Sequence, residues 1–496
     1  MLAVLQFDAV NIPLLERLLA EGRLPALAAL RERGTWQRLE SPATHFAAAT
    51  YATLYTGREV GEHGQYYAFQ WAADEQRVRF RRSFETPPTA WERLAQAGRR
   101  SLVVDPYEGW PPADRNGIVL SGVQYENYVS LERWAAPSGA RSQVEHLLGR
   151  GPYVEEVFGQ PQVGPLLELR RRVLPGPRRV ADATTTLLAG GRFDLVWAVF
   201  LSSHVGGHQF FDVTLIEEKA LAAERRLLQS ALGDIYEATD SAIGTIVRAL
   251  PDDCDVIVVS PIGMATNATR TDFLGDMLAA VVDGRPHARQ ATVPLWRLRA
   301  GVPTHVRGLI TRALGPTLAR EAMVRLQTVG VDWARTRAFT LPSDHHGQVR
   351  LNVRGRERDG IVDPGEADEL VARIQQGLLS FRDPDGSLSV AGVDRVDDLV
   401  GRDAPARDRL PDLIVRWGQA PSAQLEAVES AEHGRIVRQG RGSGRSGAHT
   451  ADAWALLVPA NARVREPARP PRVADITATA AALHGLEPEG EPLLEP

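Results

Sequence analysis

Residues 193–208 read FDLVWAVFLSSHVGGH, an apolar run that leads directly into a polar, glycine-containing turn. The run 193–201 is apolar on both faces, which indicates a strand buried inside a sheet. The same succession opens the chain, where LAVLQF at 2–7 ends in Asp8 and an amphipathic stretch follows from about 12 to 33. Strands of this kind alternating with helices predict an α/β fold with a mainly parallel central sheet flanked by helices on both faces.

Other segments repeat the strand and helix alternation. The sequence predicts helices at 90–97, 177–189 and about 215–249, and strands at 101–105 and 254–260. Between 265 and 410 the pattern loosens, with helical segments predicted at 272–281, 304–327 and 366–381 around the run GQVRLNV at 347–353. The core pattern resumes at 412–417 and 453–458. We therefore predict a core formed by residues 1–264 and 411–496, with an inserted smaller α+β subdomain at 265–410.

The composition excludes several classes of protein. The chain of 496 residues has a formal net charge of −5, which gives no basic surface for nucleic acid or an anionic membrane. The single cysteine, Cys254, excludes an internal disulfide. The N-terminus enters an apolar strand without a basic region or cleavage site, and no apolar run reaches about 18 residues. We expect a cytoplasmic protein that acts on a small, anionic molecule; the sequence does not indicate its oligomeric state.

Candidate site residues lie where predicted strands end. In parallel sheets functional residues gather at the carboxyl ends of strands, and Asp8, His204 and Ser260 occupy such positions. His204 and His208, four residues apart, can share one face of a helical turn and bind one metal ion. His449, in the glycine-rich stretch SGRSGAHTADAW, would add a third imidazole. Structural roles stay open for all of them, including capping of the next turn by Asp8.

Two further segments carry polar groups. The stretch THFAAATYATLYT at 44–56 predicts a turn that leads into a helix, whose N-terminus could bind an anion. The cluster of residues 344–346, Asp-His-His, falls in a predicted loop, and we expect it to be solvated rather than metal-binding.

Several motifs occur in the order found in one family. They are RLPAL at 23–27, TGREVGEHG at 56–64, DSAIG at 240–244, NVRGRERDGIV at 352–362 and DITAT at 475–479. Together they resemble the type I phosphodiesterase/nucleotide pyrophosphatase family of the alkaline-phosphatase superfamily, over nearly the whole chain. The resemblance implies an alkaline-phosphatase-like fold and hydrolysis of phosphate or sulfate esters.

The resemblance also implies site residues. Members of the family use two metal ions, usually zinc, one of which activates a threonine or serine nucleophile. His204, His208 and His449 match the three ligands of one metal, and Asp8 matches the metal-binding aspartate of the first strand. Ser202 stands where related sequences can carry a carboxylate.

The chain departs from the family in the other half of the site. The S-D-H-G-M motif is replaced by SPIGM at 260–264, so that Pro261 and Ile262 stand in place of two metal ligands. The nucleophile is expected nine residues before Thr56, where the chain has Ala47. Thr44 and Thr50 lie three residues to either side of Ala47, and either could act only if the local register shifted.

Three hypotheses follow. In the first, a single zinc ion held by His204, His208 and His449 activates water or polarises an oxyanionic substrate, with Asp8 as general base or orienting group. In the second, the chain is a pseudoenzyme that binds a ligand or partner without turnover. In the third, the two-metal reaction persists with Thr44 as a displaced nucleophile and residues 344–346 as a second set of ligands.

Overall fold

The computed structural model describes residues 1–127, 131–157, 159, 161–216, 221–284, 321, 324–325, 331–343, 345–439 and 442–496. Numbered along the chain, the strands of these residues are β1 Leu2–Phe7, β2 Thr35–Leu39, β3 Phe69–Ala72, β4 Arg77–Phe80, β5 Ser101–Val104, β6 Gly117–Ser121, β7 Trp134–Ala136, β8 Leu195–Phe200, β9 Asp255–Ser260, β10 Gly263–Thr266, β11 Ala338–Thr340, β12 Gly347–Leu351, β13 Val390–Arg395, β14 Leu413–Trp417, β15 Ala427–Ser430, β16 Gly434–Val437, β17 Gly447–Thr450, β18 Ala453–Val458, β19 Arg463–Val464 and β20 Leu494–Glu495. The central sheet has eight of these strands, in the order β2-β18-β9-β1-β8-β5-β6-β7.

The middle of this sheet is parallel. Strand β1 pairs in parallel with β8 and β9, and β5 pairs in parallel with β6 and β8. The outer strands β2, β18 and β7 run antiparallel to their neighbours. Strands β1, β8 and β9 are fully buried, as expected for strands covered on both faces. The predicted mainly parallel sheet is confirmed.

Two groups of helices cover the sheet. In the described residues the helices are α1 Ile12–Ala20, α2 Pro25–Glu32, α3 Thr50–Thr56, α4 Val60–His63, α5 Ala90–Gln96, α6 Ser138–Leu148, α7 Val163–Val173, α8 Gly176–Ala189, α9 Ser202–Phe210, α10 Ala222–Ala249, α11 Leu274–Asp283, α12 Ala367–Leu379, α13 Val396–Val400 and α14 Asp475–Leu483. The long helix α10 packs against α2, α7, α8 and α9, whereas α14 packs against α3 and α5. The helix predicted from about 215 begins at Ala222, after a short 3₁₀ turn at Val213–Leu215.

A smaller antiparallel sheet has the order β11-β12-β14-β13 and packs against α11 and α12 around its own apolar cluster. The strand β14, which the sequence assigned to the resumed core pattern, pairs with β12 and β13 of this smaller sheet instead. That assignment was wrong because a short apolar run does not reveal which sheet it joins. The helix predicted at 304–327 falls almost wholly outside the described residues. The predicted domain boundaries stay a prediction.

A short two-stranded ribbon lies beside the end of the central sheet. Strand β10, which follows directly on β9, pairs antiparallel with β17, and Met264 lies opposite His449. The helix α9 packs against both strands of this ribbon. The ribbon therefore brings His449, which lies near the C-terminus, to the edge of the central sheet where β1, β8 and β9 end. Among the helices described, none is both long and apolar enough to cross a membrane.

Candidate metal centre

Three histidines from two elements converge at this edge of the sheet. His204 and His208 lie on α9, directly after β8, and His449 lies on β17. One potential ligand atom from each lies within 4.8 Å of the other two. The ring centroids are separated by 4.5–5.0 Å. Within the part of the chain that the structure describes, no other group of three or more histidine, cysteine or acidic residues meets this distance.

Glycines allow α9 and β17 to approach closely enough for this. A Cβ atom at Gly447 would lie 2.2 Å from the carbonyl oxygen of Gly207, and one at Gly207 would lie 2.8 Å from the side chain of Met264. The backbone contact leaves no room for a side chain at position 447, whereas a side chain at position 207 would have to displace the flexible side chain of Met264. The glycines of HVGGH and SGAH therefore set the distance between His208 and His449.

His204 is oriented by a buried carboxylate. Its Nδ1 lies 2.8 Å from Oδ2 of Asp8, and the Tyr51 hydroxyl donates to the same oxygen at 2.9 Å. Gln6 donates to the other oxygen of Asp8 at 2.8 Å. Because Asp8 is an acceptor, His204 carries its proton on Nδ1, which leaves Nε2 as the nitrogen with a lone pair. A carboxylate behind a histidine is the usual outer partner of a metal ligand.

His208 is held in the same way by a backbone carbonyl. Its Nδ1 donates to the carbonyl oxygen of Gly447 at 2.9 Å, which leaves Nε2 as the free lone pair. Burial lowers the pKa of His208 well below its usual value, and the nearby Arg445 lowers it further. Burial and the neighbouring His204 likewise lower the pKa of His449. Both side chains are therefore neutral near pH 7, the form in which imidazole binds a metal.

The cluster fits a zinc ion. Three neutral imidazoles suit zinc, and with Zn–N bonds of about 2.0–2.1 Å the ligand atoms would lie about 3.4 Å apart. The observed limit of 4.8 Å requires only small side-chain adjustments. The Nδ1 atom of His449 is buried and makes no hydrogen bond of normal geometry within the described structure, although its imidazole lies within reach of the Gly263 backbone. A metal ion at the cluster would satisfy this nitrogen.

Two tyrosines at the centre were not found by the sequence analysis. Burial, and then the nearby Asp8, raise the pKa of Tyr51 well above its usual value, so its phenol stays protonated and donates to Asp8. The Tyr107 hydroxyl lies 3.2 Å from Nε2 of His204. Tyr107 follows the end of β5 by three residues, so the rule that identified Asp8 and His204 could have identified it. Tyr51 carries no such signal, since it lies inside a helix.

The replaced half of the site is built into the core. Ile262 is fully buried, and Ala47 is buried in a 3₁₀ turn before α3. The Ser260 hydroxyl accepts from the Val10 amide and donates to the Ile262 carbonyl. The carbonyl of Pro261 accepts from Ser41. These groups serve backbone hydrogen bonds and packing.

The alternative nucleophiles lie in different environments. The turn Pro42–Thr44 lies beside β17, but Thr44 is exposed and its hydroxyl points to the Ser41 carbonyl at 3.3 Å. Thr50 is fully buried, and its hydroxyl has no hydrogen-bond partner in the described structure. The structure brings Asp8 into contact with His204 of the cluster, whereas the recorded hydrogen bond of the Thr44 hydroxyl is to the Ser41 carbonyl.

The predicted polar cluster at 344–346 is only partly described, since Asp344 lies outside the described residues. His345 is half-buried, and its ring lies 6.0 Å from that of His449. It borders a small cavity of about 10 Å³ together with His208 and His449. The expected solvation therefore holds only in part for His345, because the bend before β12 brings it close to His449.

A larger cleft opens beside this cavity. It has a volume of about 790 Å³, within the range of small-molecule sites. Asn267, Thr269 and Arg445 line both the cleft and the small cavity, so the two are continuous. Arg445 pairs with Glu156 at 2.6 Å, and Arg438 pairs with Asp272 at 2.7 Å. Arg438 and Arg445 thus line the approach to the histidines.

Comparisons with known proteins bear on the fold. A family model described as type I phosphodiesterase/nucleotide pyrophosphatase matches residues 2–432. Phosphonoacetate hydrolase from Sinorhizobium meliloti 1021, in complex with phosphonoacetate, is 14% identical, with a TM-score of 0.53 over 97% of this chain and 95% of that chain. Murine ectonucleotide pyrophosphatase/phosphodiesterase 5 is 13% identical, with a TM-score of 0.48 over 99% and 96% of the two chains. A search of curated proteins found no match.

Proposed function

This chain belongs to the type I phosphodiesterase/nucleotide pyrophosphatase family, and on that premise we propose that it is a metal-dependent enzyme acting on an oxyanionic ester. The proposed centre is a single zinc ion held by His204, His208 and His449. Phosphate and sulfate esters are the proposed substrates. The observation that carries the proposal is the convergence of three histidines, two of which are oriented by acceptors at Nδ1.

The roles of the residues follow from their contacts. Zinc bound by three imidazoles lowers the pKa of a water molecule to about 7 and polarises the oxygen of a substrate. Asp8 keeps the proton of His204 on Nδ1 and so keeps Nε2 directed at the centre. Because Ala47 has no nucleophilic atom, the proposed reaction is direct attack by water without a covalent intermediate. In the proposal, the cleft beside Arg445 holds the remainder of the substrate.

A binding role without turnover is the second candidate. It is favoured by Ala47, which stands where the nucleophile is expected, and by Pro261 and Ile262, which stand where two ligands of the second metal are expected. None of these three residues has a polar side chain. A protein that binds an oxyanion or a partner needs the cleft but no reactive centre. Against this candidate, His208 and His449 have neutral imidazoles, and acceptors at Nδ1 orient His204 and His208, which a purely structural cluster does not need.

Hydrolysis assays separate the candidates. We expect zinc-loaded protein to hydrolyse members of a panel of nitrophenyl phosphate monoesters, phosphate diesters and sulfate esters, and apo protein to be inactive. His208→Ala should remove the activity, whereas His146→Ala, on an exposed position of α6, should leave it unchanged. Zinc binding without turnover of any of these esters would favour the binding role. Activity that survives His208→Ala would contradict the proposed centre.

A further inference from the structure

The cleft beside the histidines, with a volume of about 790 Å³, is large enough for the part of a substrate that lies beyond its reacting group. The small cavity at His208 and His449 has a volume of only about 10 Å³, room for about one water molecule. Because Asn267, Thr269 and Arg445 line both spaces, a group attached to an oxyanion at the histidines continues into the cleft. The lining of the cleft therefore indicates the chemistry of that group.

The arginines that line the described part of the cleft are engaged by groups of the protein itself. Arg445 pairs with both carboxylate oxygens of Glu156, at 2.6 and 3.0 Å. Arg438 pairs with Asp272 at 2.7 Å, and its Nη1 donates to the Ser422 carbonyl oxygen at 3.0 Å. Their positive charges are therefore balanced before any substrate binds.

The charge of the cleft does not favour an anion. Asp272 and Glu426 line it, and Glu156 pairs with Arg445, so that three carboxylates accompany two guanidinium groups. A negative group in the cleft would have to break one of these ion pairs and leave a carboxylate without its partner. We therefore expect the group that occupies the cleft to be uncharged.

The described residues of the cleft include no aromatic ring. A nucleobase usually stacks on aromatic side chains, and a quaternary ammonium group is usually bound in an aromatic cage. The lining therefore favours neither of these groups.

Hydroxyl and carboxamide groups form much of the lining. They belong to Asn267, Thr269, Thr271, Ser422, Gln424 and Ser443. Both kinds of group can donate and accept hydrogen bonds, and an alcohol hydroxyl can do the same. A lining of this composition matches a molecule with several hydroxyl groups.

Asn267 holds the walls of the cleft together. Its Oδ1 accepts from the amide and the hydroxyl of Thr269 at 3.0 and 2.8 Å, and its Nδ2 donates to the Arg445 carbonyl oxygen at 2.9 Å. Its own carbonyl oxygen accepts from the Ser422 amide at 3.0 Å. These bonds join the segments that follow β10, precede β15 and precede β17, so the polar groups are arranged in advance of binding, which lowers the cost of binding.

We propose that the substrate of the three-histidine centre is the phosphate or sulfate ester of a neutral, polyhydroxylated alcohol such as a sugar, whose hydroxyl groups bind in this cleft. This inference rests on the proposed function. The oxyanion lies at the histidines, and the hydroxyl groups of the alcohol exchange hydrogen bonds with the threonine, serine and amide side chains of the cleft.

Calorimetric binding to the zinc-loaded protein tests this without turnover. The probes are inorganic phosphate, glucose 6-phosphate, phenyl phosphate and glucose 1,6-bisphosphate. We expect glucose 6-phosphate to bind about tenfold or more tightly than inorganic phosphate, as two or more added hydrogen bonds would give. Phenyl phosphate, which has no hydroxyl groups, should bind less tightly than glucose 6-phosphate. The bisphosphate, which differs from glucose 6-phosphate by one charged group, should also bind less tightly.

Two variants examine the cleft away from the histidines. Thr271 and Gln424 line the cleft but not the small cavity. We expect Thr271→Val and Gln424→Leu each to reduce the preference for glucose 6-phosphate over inorganic phosphate by about threefold to tenfold. Thr245→Val on α10 is the control, because the Thr245 hydroxyl donates to the Ser241 carbonyl within its own helix.

The possible outcomes are distinct. Equal affinity for glucose 6-phosphate and inorganic phosphate, or tighter binding of phenyl phosphate or the bisphosphate, overturns this inference and leaves the metal centre intact. A preference for glucose 6-phosphate that survives both cleft variants also overturns it, because the sugar would then bind elsewhere. Zinc-loaded wild type that binds neither phosphate nor sulfate overturns the proposed function and this inference together.

Discussion

Asp8 is a fully buried carboxylate whose oxygens accept hydrogen bonds from an amide, a phenol and an imidazole. The sequence left its role open between a metal ligand, a base and a cap for the next turn. In the structure the first turn of α1 is capped by Asn11 instead, whose side chain accepts from the Leu14 amide. Asp8 therefore acts on His204, as an orienting group.

We expect Asp8→Asn to weaken zinc binding by about 10–100-fold, the usual effect of removing the outer partner of a metal ligand. The amide keeps the shape of the side chain but not the charge that stabilises the Nδ1–H of His204. The measurement is a chelator competition on wild type and variant, with Asp182→Asn on α8 as the control. Equal zinc affinity in Asp8→Asn and wild type would exclude this role.

His63, in the motif at 56–64, has a purely structural environment. It is fully buried, its Nδ1 accepts from the Gln65 amide at 2.9 Å, and its Nε2 lies 3.0 Å from the Thr53 hydroxyl. Burial, with a smaller contribution from Arg409, lowers the pKa of His63 to about 3. The histidine of this motif thus joins α4 to α3 and is separate from the metal centre.

This pKa predicts a dependence of stability on pH. The unfolded chain binds a proton at His63 below about pH 6.5, whereas the folded chain does so only near pH 3, so unfolding is favoured as the pH falls through this window. We expect His63→Gln to remove this contribution. The stability difference between wild type and variant should then shrink by about 1 kcal/mol between pH 7.5 and 5.5.

Urea unfolding at the two pH values measures the difference, with His146→Gln on the exposed side of α6 as control. If wild type and His63→Gln lose stability in parallel, the buried neutral imidazole is not the cause.

At the scale of elements, the motifs that identified the family hold helices and sheets together. Asp240 on α10 accepts from the amides of Ala26 and Leu27 at 3.1 and 2.8 Å. These amides belong to the first turn of α2, whose own N-cap, Leu24, has no side-chain acceptor. The DSAIG motif therefore caps the helix that RLPAL begins, which explains why the two motifs occur together.

We expect Asp240→Ala to lower the free energy of unfolding by about 1–2 kcal/mol, as for other lost helix caps. The variant leaves two amides of a buried helix end without their acceptor. Chemical denaturation beside Asp182→Ala, a half-buried position on α8, measures the effect. A change no larger than that of the control would show that water replaces the cap.

The run at 352–362 joins the smaller sheet to the β3–β4 hairpin. Glu357 accepts from Trp71 Nε1 at 2.6 Å, from Arg350 at 2.8 Å and from Arg356 at 2.9 Å. Arg356 also pairs with Asp412 at 2.7 Å, and nearby arginines hold the pKa of that carboxyl well below its usual value. Glu357 of this motif is thus the centre of a network of charges that includes the buried side chains of Arg350 and Asp412.

We expect Glu357→Gln to destabilise the protein by about 3–5 kcal/mol, because it leaves two buried guanidinium groups with one carboxylate fewer. Glu429→Gln, in an exposed pair with Arg435, should cost less than about 1 kcal/mol. Thermal unfolding of both variants checks the ranking. Similar losses in the two would mean that the network is open to solvent.

At the scale of the whole molecule, the sequence predicted the parallel sheet because each buried strand and its following helix are local patterns. It did not predict the order of the strands or the antiparallel place of β18 beside β9, since pairing between distant segments leaves no local signal. The same limit explains why the sequence assigned β14 to the core instead of to the smaller sheet. His204 was predicted because strand ends meet at one edge of a sheet, and His449 was added to it by the family resemblance. Tyr51 was missed because only the folded chain brings α3 to Asp8.

The central claim is a single metal ion at His204, His208 and His449. Elemental mass spectrometry of purified protein, wild type beside His204→Ala, tests it most directly. We predict one zinc ion per wild-type chain and its loss in the variant. Two metal ions per chain, or none in wild type, would contradict the claim.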